Sequence, residues 1–381
     1  MDRKLEHISI AGFKSIASMD LSLGSLNILI GANGSGKSNF LAVFALLHDI
    51  IEQRLQIHVA ERGGANALLH FGQKRTSEIR IGLRVHGNAY QVALAPAAGD
   101  ELFFTEEACS HHAPLHPDPL LVRLGEGHRE SRLQEAARRL RVVSRGVRTR
   151  SQRREAGQFS WLASFILESL ASWKLYHFHD TSKSARVKQK HGIDDNVTLR
   201  PDAANLAAFL YRLQQTHEDA YRRIVAAVRM VAPFFEDFVL RPDRIRTDTI
   251  QLEWRERGSD DYFNAHALSD GTLRFICLAT LLLQPELPTA ILIDEPEIGL
   301  HPAAIQHLAA MVKSAATKTQ VILSTQSVTL VNQFAPEDVI VVDREGQASA
   351  FRRITPHEIQ DWLDGYALGE LWEKNILGGR P

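Results

Sequence analysis

Leu26-Asn27-Ile28-Leu29-Ile30 runs directly into Gly31-Ala32-Asn33-Gly34-Ser35-Gly36-Lys37-Ser38, and a weakly polar stretch continues to Ile51. The first five residues read as a buried strand, because a short, largely apolar run ending in glycine suits a sheet covered on both faces. The glycines that follow let backbone N–H groups close around phosphate oxygens. Lys37 is placed to reach the outer phosphates and Ser38 to offer its hydroxyl to Mg²⁺. A strand entering and a helix leaving is the context this pattern requires, since the helix N-terminus favours an anion. Asn33, Gly34, Ser35, Gly36, Lys37 and Ser38 are therefore candidate nucleotide contacts.

Outward from that loop, residues 5–10 and 19–30 read as strands around a turn at Gly12-Phe13-Lys14-Ser15. Residues 78–95 alternate as an antiparallel pair with a turn at Gly87-Asn88. From 96 to 128 the periodicity dissolves into loop-like sequence. Helical spacing returns at 129–141 (Leu133, Ala136, Ala137, Leu140), then on a face carrying Phe159, Leu162, Ile166 and Trp173, then over 202–232 with Asp202 as a cap. After a strand near 249–256, helix and apolar strand alternate: helix 271–284, strand 290–294, helix 302–316, strand 320–325 and strand 338–343. That rhythm implies a parallel sheet.

Three further stretches carry chemistry. Ala290-Ile291-Leu292-Ile293-Asp294-Glu295 is an apolar strand ending in two acids, of which Asp294 suits a metal and Glu295 suits a general base for water. Leu268-Ser269-Asp270-Gly271-Thr272-Leu273-Arg274 opens a helix, where free N–H groups and the helix dipole favour phosphate. Val321 to Ser327 forms the next strand and its end, with Gln326 at the tip.

The order of these motifs resembles the head of ABC-type ATPases, and within them the RecF-like, SMC-related group of AAA-family ATPases. The resemblance covers residues 1–95 and 240–355. It implies an α/β P-loop head with a mixed sheet, flanking helices and an antiparallel N-terminal β part. A mainly helical insert (96–240) then separates the P-loop half (1–95) from the half with signature, acidic strand and switch strand (241–355), and a tail spans 356–381. It further implies that Ser269 and Gly271 contact the γ-phosphate held by an opposite subunit, so that ATP closes a homodimer. Glu297 to Pro302 falls where the family has its dimer-contacting loop, and Phe13-Lys14-Ser15-Ile16 where a basic residue nears the phosphates. Gln326 stands where the family carries a switch histidine. It can hydrogen-bond but cannot take a proton, so its implied role is positional. Gln73 falls near the place of a glutamine loop, in sequence that reads equally as a plain turn. About 230 residues lie between P-loop and signature, unlike the compact subdomain of transporter ATPases, and they hold no sustained heptad pattern.

The 381 residues carry 44 Lys plus Arg against 45 Asp plus Glu, a net charge of −1. That neutrality is a cancellation. Residues 121–154 hold eleven arginines and three glutamates, a net +8, which leaves −9 elsewhere. Such a stretch is an electrostatic footprint for a phosphate backbone, or for an acidic protein partner. By resemblance the partner is DNA in recombinational repair or double-strand break processing; the alternative is a protein effector in an anti-phage defence or toxin system. Two cysteines, Cys109 and Cys277, make no disulfide framework and suit a reducing, cytoplasmic location. No apolar run reaches the roughly 18 residues of a membrane span. His111, His112, His116 and Asp118 lack metal-ligand spacing and read as a surface loop. The tail, Leu368 to Pro381, with Trp372 and Leu377, reads as a segment that packs or pairs rather than catalyses.

Overall fold

The computed structural model describes residues 3–112, 120–138, 150–363 and 365–380, and the chain divides into two compact units. The first comprises 1–173, 337–355 and 374–381; the second comprises 174–336 and 356–373.

In the first unit, β1 (Leu5–Phe13) and β2 (Ile16–Ser22) form a hairpin, and β3 (Leu26–Ile30) leads through the glycine loop into α1 (Lys37–Ile51). Helices α2 (Leu55–Glu61) and α3 (Ala65–Leu68) follow, then strands β4 (Ile79–Val85), β5 (Asn88–Ala97), β6 (Glu101–His111) and β7 (Leu120–Gly125). The hairpin and these four strands make an antiparallel sheet in the order β2-β1-β4-β5-β6-β7. Helices α4 (Leu133–Arg138) and α5 (Arg150–Ser172) complete the run. Strand β3 is buried at every position, as its largely apolar sequence predicts, and its one polar side chain, Asn27, is satisfied by the Gly24 backbone. It pairs in parallel with a late strand, Val339–Glu345, which turns back antiparallel through Ala348–Arg353, so this sheet is mixed. On α1, Phe40, Phe44, Leu47 and Ile51 are buried, each contributing about 1.5–3 kcal/mol. Phe44 meets Trp173 edge-on at 5.9 Å.

In the second unit, β8 (Trp173–Tyr176) and the short β9 (His191–Gly192) precede helices α6 (Leu206–Thr216) and α7 (Glu218–Val231). Strands β10 (Phe235–Phe238), β11 (Thr249–Ile250), β12 (Glu253–Glu256) and β13 (Tyr262–Asn264) make small antiparallel pairings. Then come α8 (Asp270–Leu283), β14 (Ala290–Asp294), α9 (Pro302–Ala316) and β15 (Gln320–Thr325). β14 and β15 run parallel and in register, Asp294 opposite Ser324, with β8 on the other side of β14. The parallel sheet expected from the alternating rhythm is present.

Four sequence expectations change. The described residues of 96–128 are largely strand, not loop or helical insert, because β5, β6 and β7 occupy them, and 113–119 lie outside the described residues. Register shifts at Ala93/Leu94 and Glu107/Ala108, together with a fully buried acid at Glu107, break the period-two pattern that would have revealed them. The insert also does not form a domain of its own: its residues are shared between the two units, the chain being divided between 173 and 174. The helical run 202–232 is two helices broken at His217, and Asp202 lies before α6 with its carboxylate accepting from Ala204 N. Of the apolar face ascribed to α5, Leu162 and Ile166 are buried, whereas Phe159 is exposed and Trp173 already belongs to β8. Trp372 and Leu377 are both buried, as a packing segment requires.

Candidate nucleotide site

The phosphate loop is built within the first unit. Ser35 N donates to Ala32 O and Phe40 N to Gly36 O, so the loop closes on itself as α1 begins. Gly31, Ser35, Gly36 and Lys37 are buried, whereas Asn33, Gly34 and Ser38 face solvent. Gly36 has φ +122°, and a Cβ there would fall 2.1 Å from Ser349 Oγ, so only glycine fits. Lys37 Nζ donates to the carbonyls of Gly31 at 2.6 Å and Ala32 at 3.1 Å, which folds the ammonium into the loop. Ser35 Oγ is buried without a hydrogen-bond partner.

The loop is braced from below by the late hairpin. Ser349 Oγ bonds the Ser35 carbonyl and lies 2.7 Å from Ser15 Oγ, which also accepts from Asn39 Nδ2 at 2.7 Å. Thus Ser15 joins the network. Its neighbour Lys14 sits in the left-handed region at φ +48°, with its ammonium 5.6 Å from the Phe13 ring centroid. Burial, and secondarily the charge of Arg62, push the Lys14 pKa down. Near the chain's end, Gly379 lies against Gly31 and its N–H donates to Asp343 Oδ2 at 3.0 Å.

In the second unit the two acids stand at the end of β14. Ser324 Oγ donates to Asp294 Oδ1, and His179 Nε2 donates to the Asp294 carbonyl at 2.8 Å. Glu295 turns into the left-handed region, φ +42°, while its N–H reaches Ser324 O at 3.0 Å. A non-glycine residue held there costs of order 1 kcal/mol or more, a strain that concentrates at functional sites. Gln326 Nε2 donates to Glu295 Oε1. Glu297 is buried: its Oε1 accepts from Thr325 Oγ1 at 2.6 Å and Gln326 N at 2.9 Å, and its Oε2 has no partner. Burial pushes the Glu297 pKa up, partly countered by those two hydrogen bonds.

Ser269 caps α8, its Oγ accepting from Thr272 N at 3.2 Å. A Cβ on Gly271 would lie 2.3 Å from Gly299 O, so glycine is what lets the helix start touch the 297–300 turn. Arg274, buried one turn on, donates to Phe178 O at 3.0 Å, His179 O at 3.1 Å and Ile298 O. Nothing in the sequence marks His179, and the stretches that hold Arg274 and Glu297 do not reveal the hydrogen bonds these two make. Arg274 reads there as an ordinary helix cation, and His179 lies 115 positions from the strand end it supports.

Other expectations fall elsewhere. Gln73 lines a shallow cleft with Asn66, Phe71 and Lys74, its N–H on Asn66 Oδ1. His111 sits in β6 with Nδ1 2.8 Å from Asn88 Oδ1, and His116 and Asp118 lie outside the described residues. Among the described residues no cluster of three His, Cys, Asp or Glu side chains could hold a metal. Of the basic stretch 121–154, residues 139–149 lie outside the described residues. No helix among the described residues is long and apolar enough to cross a membrane.

The residues present fit a nucleotide with its metal. In the first unit the buried, unpartnered Ser35 hydroxyl and the loop's backbone suit phosphate, and in the second unit the Asp294 carboxylate is a donor of the kind a hard cation takes.

Residues 26–332 match the family model described as "AAA domain, putative AbiEii toxin, Type IV TA system". The fold is that of SMC heads, the P-loop ABC-type ATPase fold. A crystal structure of an Smc head bound to the C-winged helix domain of ScpA superposes with a TM-score of 0.54 at 15% identity, covering 94% of this chain and 99% of that one. The Smc head with an extended coiled coil from Pyrococcus furiosus, bound to the C-terminal domain of ScpA, gives 0.53 at 12% identity, covering 94% and 98%. The DNA replication and repair protein RecF of Paenarthrobacter aurescens (strain TC1) is 35% identical over 72 residues, which span 19% of this chain and 16% of that protein.

Proposed function

Because the chain belongs to this AAA-domain family, we propose that it binds and hydrolyses ATP between two head-to-tail copies and acts on DNA in recombinational repair or double-strand break processing. The observation that carries the ATPase part is the Glu295–Gln326 pair at the end of β14, in a chain whose glycine loop is folded for phosphate. Lys37 takes the outer phosphates, with the backbone of Asn33, Gly34, Ser35 and Gly36 around them. Ser38 and Asp294 hold Mg²⁺, which when bound offsets phosphate charge. Lys14 supplies a further cation near the nucleotide.

Glu295 accepts the proton of the attacking water, and Gln326 holds that carboxylate in place. Ser269 and Gly271 of one copy meet the γ-phosphate bound by the other. ATP thereby closes the dimer, and hydrolysis opens it.

DNA is favoured as partner by the likeness to RecF and by the +8 stretch at 121–154. A second reading is favoured by the family description itself, which names a toxin of a type IV toxin–antitoxin system. There the closed dimer holds or releases a protein effector. Three measurements on the full chain decide. Lys37→Ala abolishes ATP binding, and unchanged affinity removes the loop assignment. Glu295→Gln traps an ATP-bound dimer on size exclusion, and a monomer with ATP removes the sandwich. Anisotropy with duplex DNA shows affinity falling steeply with salt. Absence of salt-dependent DNA binding moves the reading to the protein effector.

A further inference from the structure

The apex of the phosphate loop carries a charged side chain from far along the chain. Arg344, at the end of the late strand Val339–Glu345, donates through Nη1 to the Gly34 carbonyl at 3.1 Å and through Nη2 to the Gln347 carbonyl at 3.1 Å. The arginine is exposed, and so is Gly34, with open space on its free side. Gln347 is in turn held by Arg75, whose Nη1 lies 3.4 Å from Gln347 Oε1. The hairpin that presents Arg344 is also the one that braces the loop from below through Ser349. Its position relative to the loop is thus set at two points.

A guanidinium has five N–H donors in one plane, and these two carbonyl bonds use two of them. The remaining donors stand beside a loop whose Ser35 hydroxyl is buried and unpartnered. Gly34 precedes Lys37, the first residue of α1, by three positions and is exposed. An exposed guanidinium at the apex of a phosphate-binding loop suits paired phosphate oxygens. Resting on neutral carbonyls, it gains by exchanging one for a phosphate, which offers two oxygens to the planar fork and adds attraction between opposite charges.

From this geometry we infer that Arg344 is a nucleotide-binding residue acting in cis on the terminal phosphate, and so distinguishes nucleoside triphosphate from diphosphate. The inference rests on the proposal that the loop binds ATP.

The test is calorimetric binding of ATPγS and ADP, each with Mg²⁺, to the full-length chain and to Arg344→Ala, Arg344→Gln and Arg344→Lys. The expected result is a loss of about 10- to 100-fold in ATPγS affinity for Arg344→Ala and Arg344→Gln, in line with one or two charge-assisted hydrogen bonds. ADP affinity changes less than about threefold, and Arg344→Lys recovers part of the loss. Equal losses for both nucleotides make the arginine a brace of the loop and overturn the inference, as does wild-type affinity for both. Arg344→Gln keeps most of the side chain and serves if Arg344→Ala melts early. If the unaltered chain binds neither nucleotide, the ATP reading falls and takes this one with it. If it binds both while the variants match it, the arginine assignment alone falls.

Discussion

Gln326 donates its amide N–H to Glu295 Oε1, so the residue at the end of β15 is bonded directly to the carboxylate at the end of β14. The amide cannot exchange a proton, which separates the two roles. Glu295→Gln should lower kcat by about 10²–10⁴-fold, the range for loss of a general base, while ATP affinity stays within twofold. Gln326→Ala should leave ATP affinity equally unchanged and reduce kcat by only about tenfold. Single-turnover hydrolysis with titrated ATP reads both. A Gln326→Ala variant as slow as Glu295→Gln would assign the amide a larger share than positioning.

The glycine loop and the acidic strand end are legible in sequence because their chemistry is local: glycine spacing around Lys37, and an apolar run ending in Asp294-Glu295. The residues that hold them are not local. Arg274 looks like any helix cation until three backbone carbonyls, at 178, 179 and 298, are brought to it. Strand β6 was hidden because Glu107 interrupts its apolar alternation. That acid is buried at tolerable cost only because Tyr90, His128, Ser131 and the Arg132 N–H all donate to it. Ser349 and Arg344 reach the phosphate loop from over 300 residues away, a contact that sheet pairing creates and that no spacing rule encodes.

Gly271 touches the carbonyl of Gly299, linking the start of α8 to the turn after β14. A methyl group built at 271 would sit 2.3 Å from that oxygen, so the two segments must part. Gly271→Ala should cost about 1–3 kcal/mol of stability, as overpacking does. It should slow steady-state ATP hydrolysis at least tenfold, with nucleotide affinity of the isolated chain unchanged. Urea unfolding and a phosphate-release assay check the two parts separately.

Arg274 is a buried cation whose hydrogen-bond partners are all carbonyls, from the segment after β8 and from the 297–300 turn. Its removal leaves the buried Phe178 carbonyl and two part-buried carbonyls without this donor. Arg274→Ala should therefore destabilise the fold by about 3 kcal/mol. Arg274→Lys should recover only part of this, because an ammonium lacks the planar fork that spans these carbonyls. Equal stability of the lysine variant and the wild type, by chemical unfolding, would show that charge alone suffices.

Glu297 supplies the pH prediction. Its carboxyl is buried, with Oε2 unpartnered, and burial raises its pKa above the usual 4.5. The folded state then binds more protons than the unfolded state over the range above 4.5, so this group's contribution to stability falls as pH rises through that range. Glu297→Gln keeps an oxygen to accept from Thr325 and Gln326 N–H and carries no charge at any pH. The Tm of Glu297→Gln minus that of wild type should grow as pH is raised from 5 towards 9. A difference in Tm that does not change with pH would mean that the carboxyl is ionised in both states across the range. The two hydrogen bonds to Oε1 would then outweigh its burial.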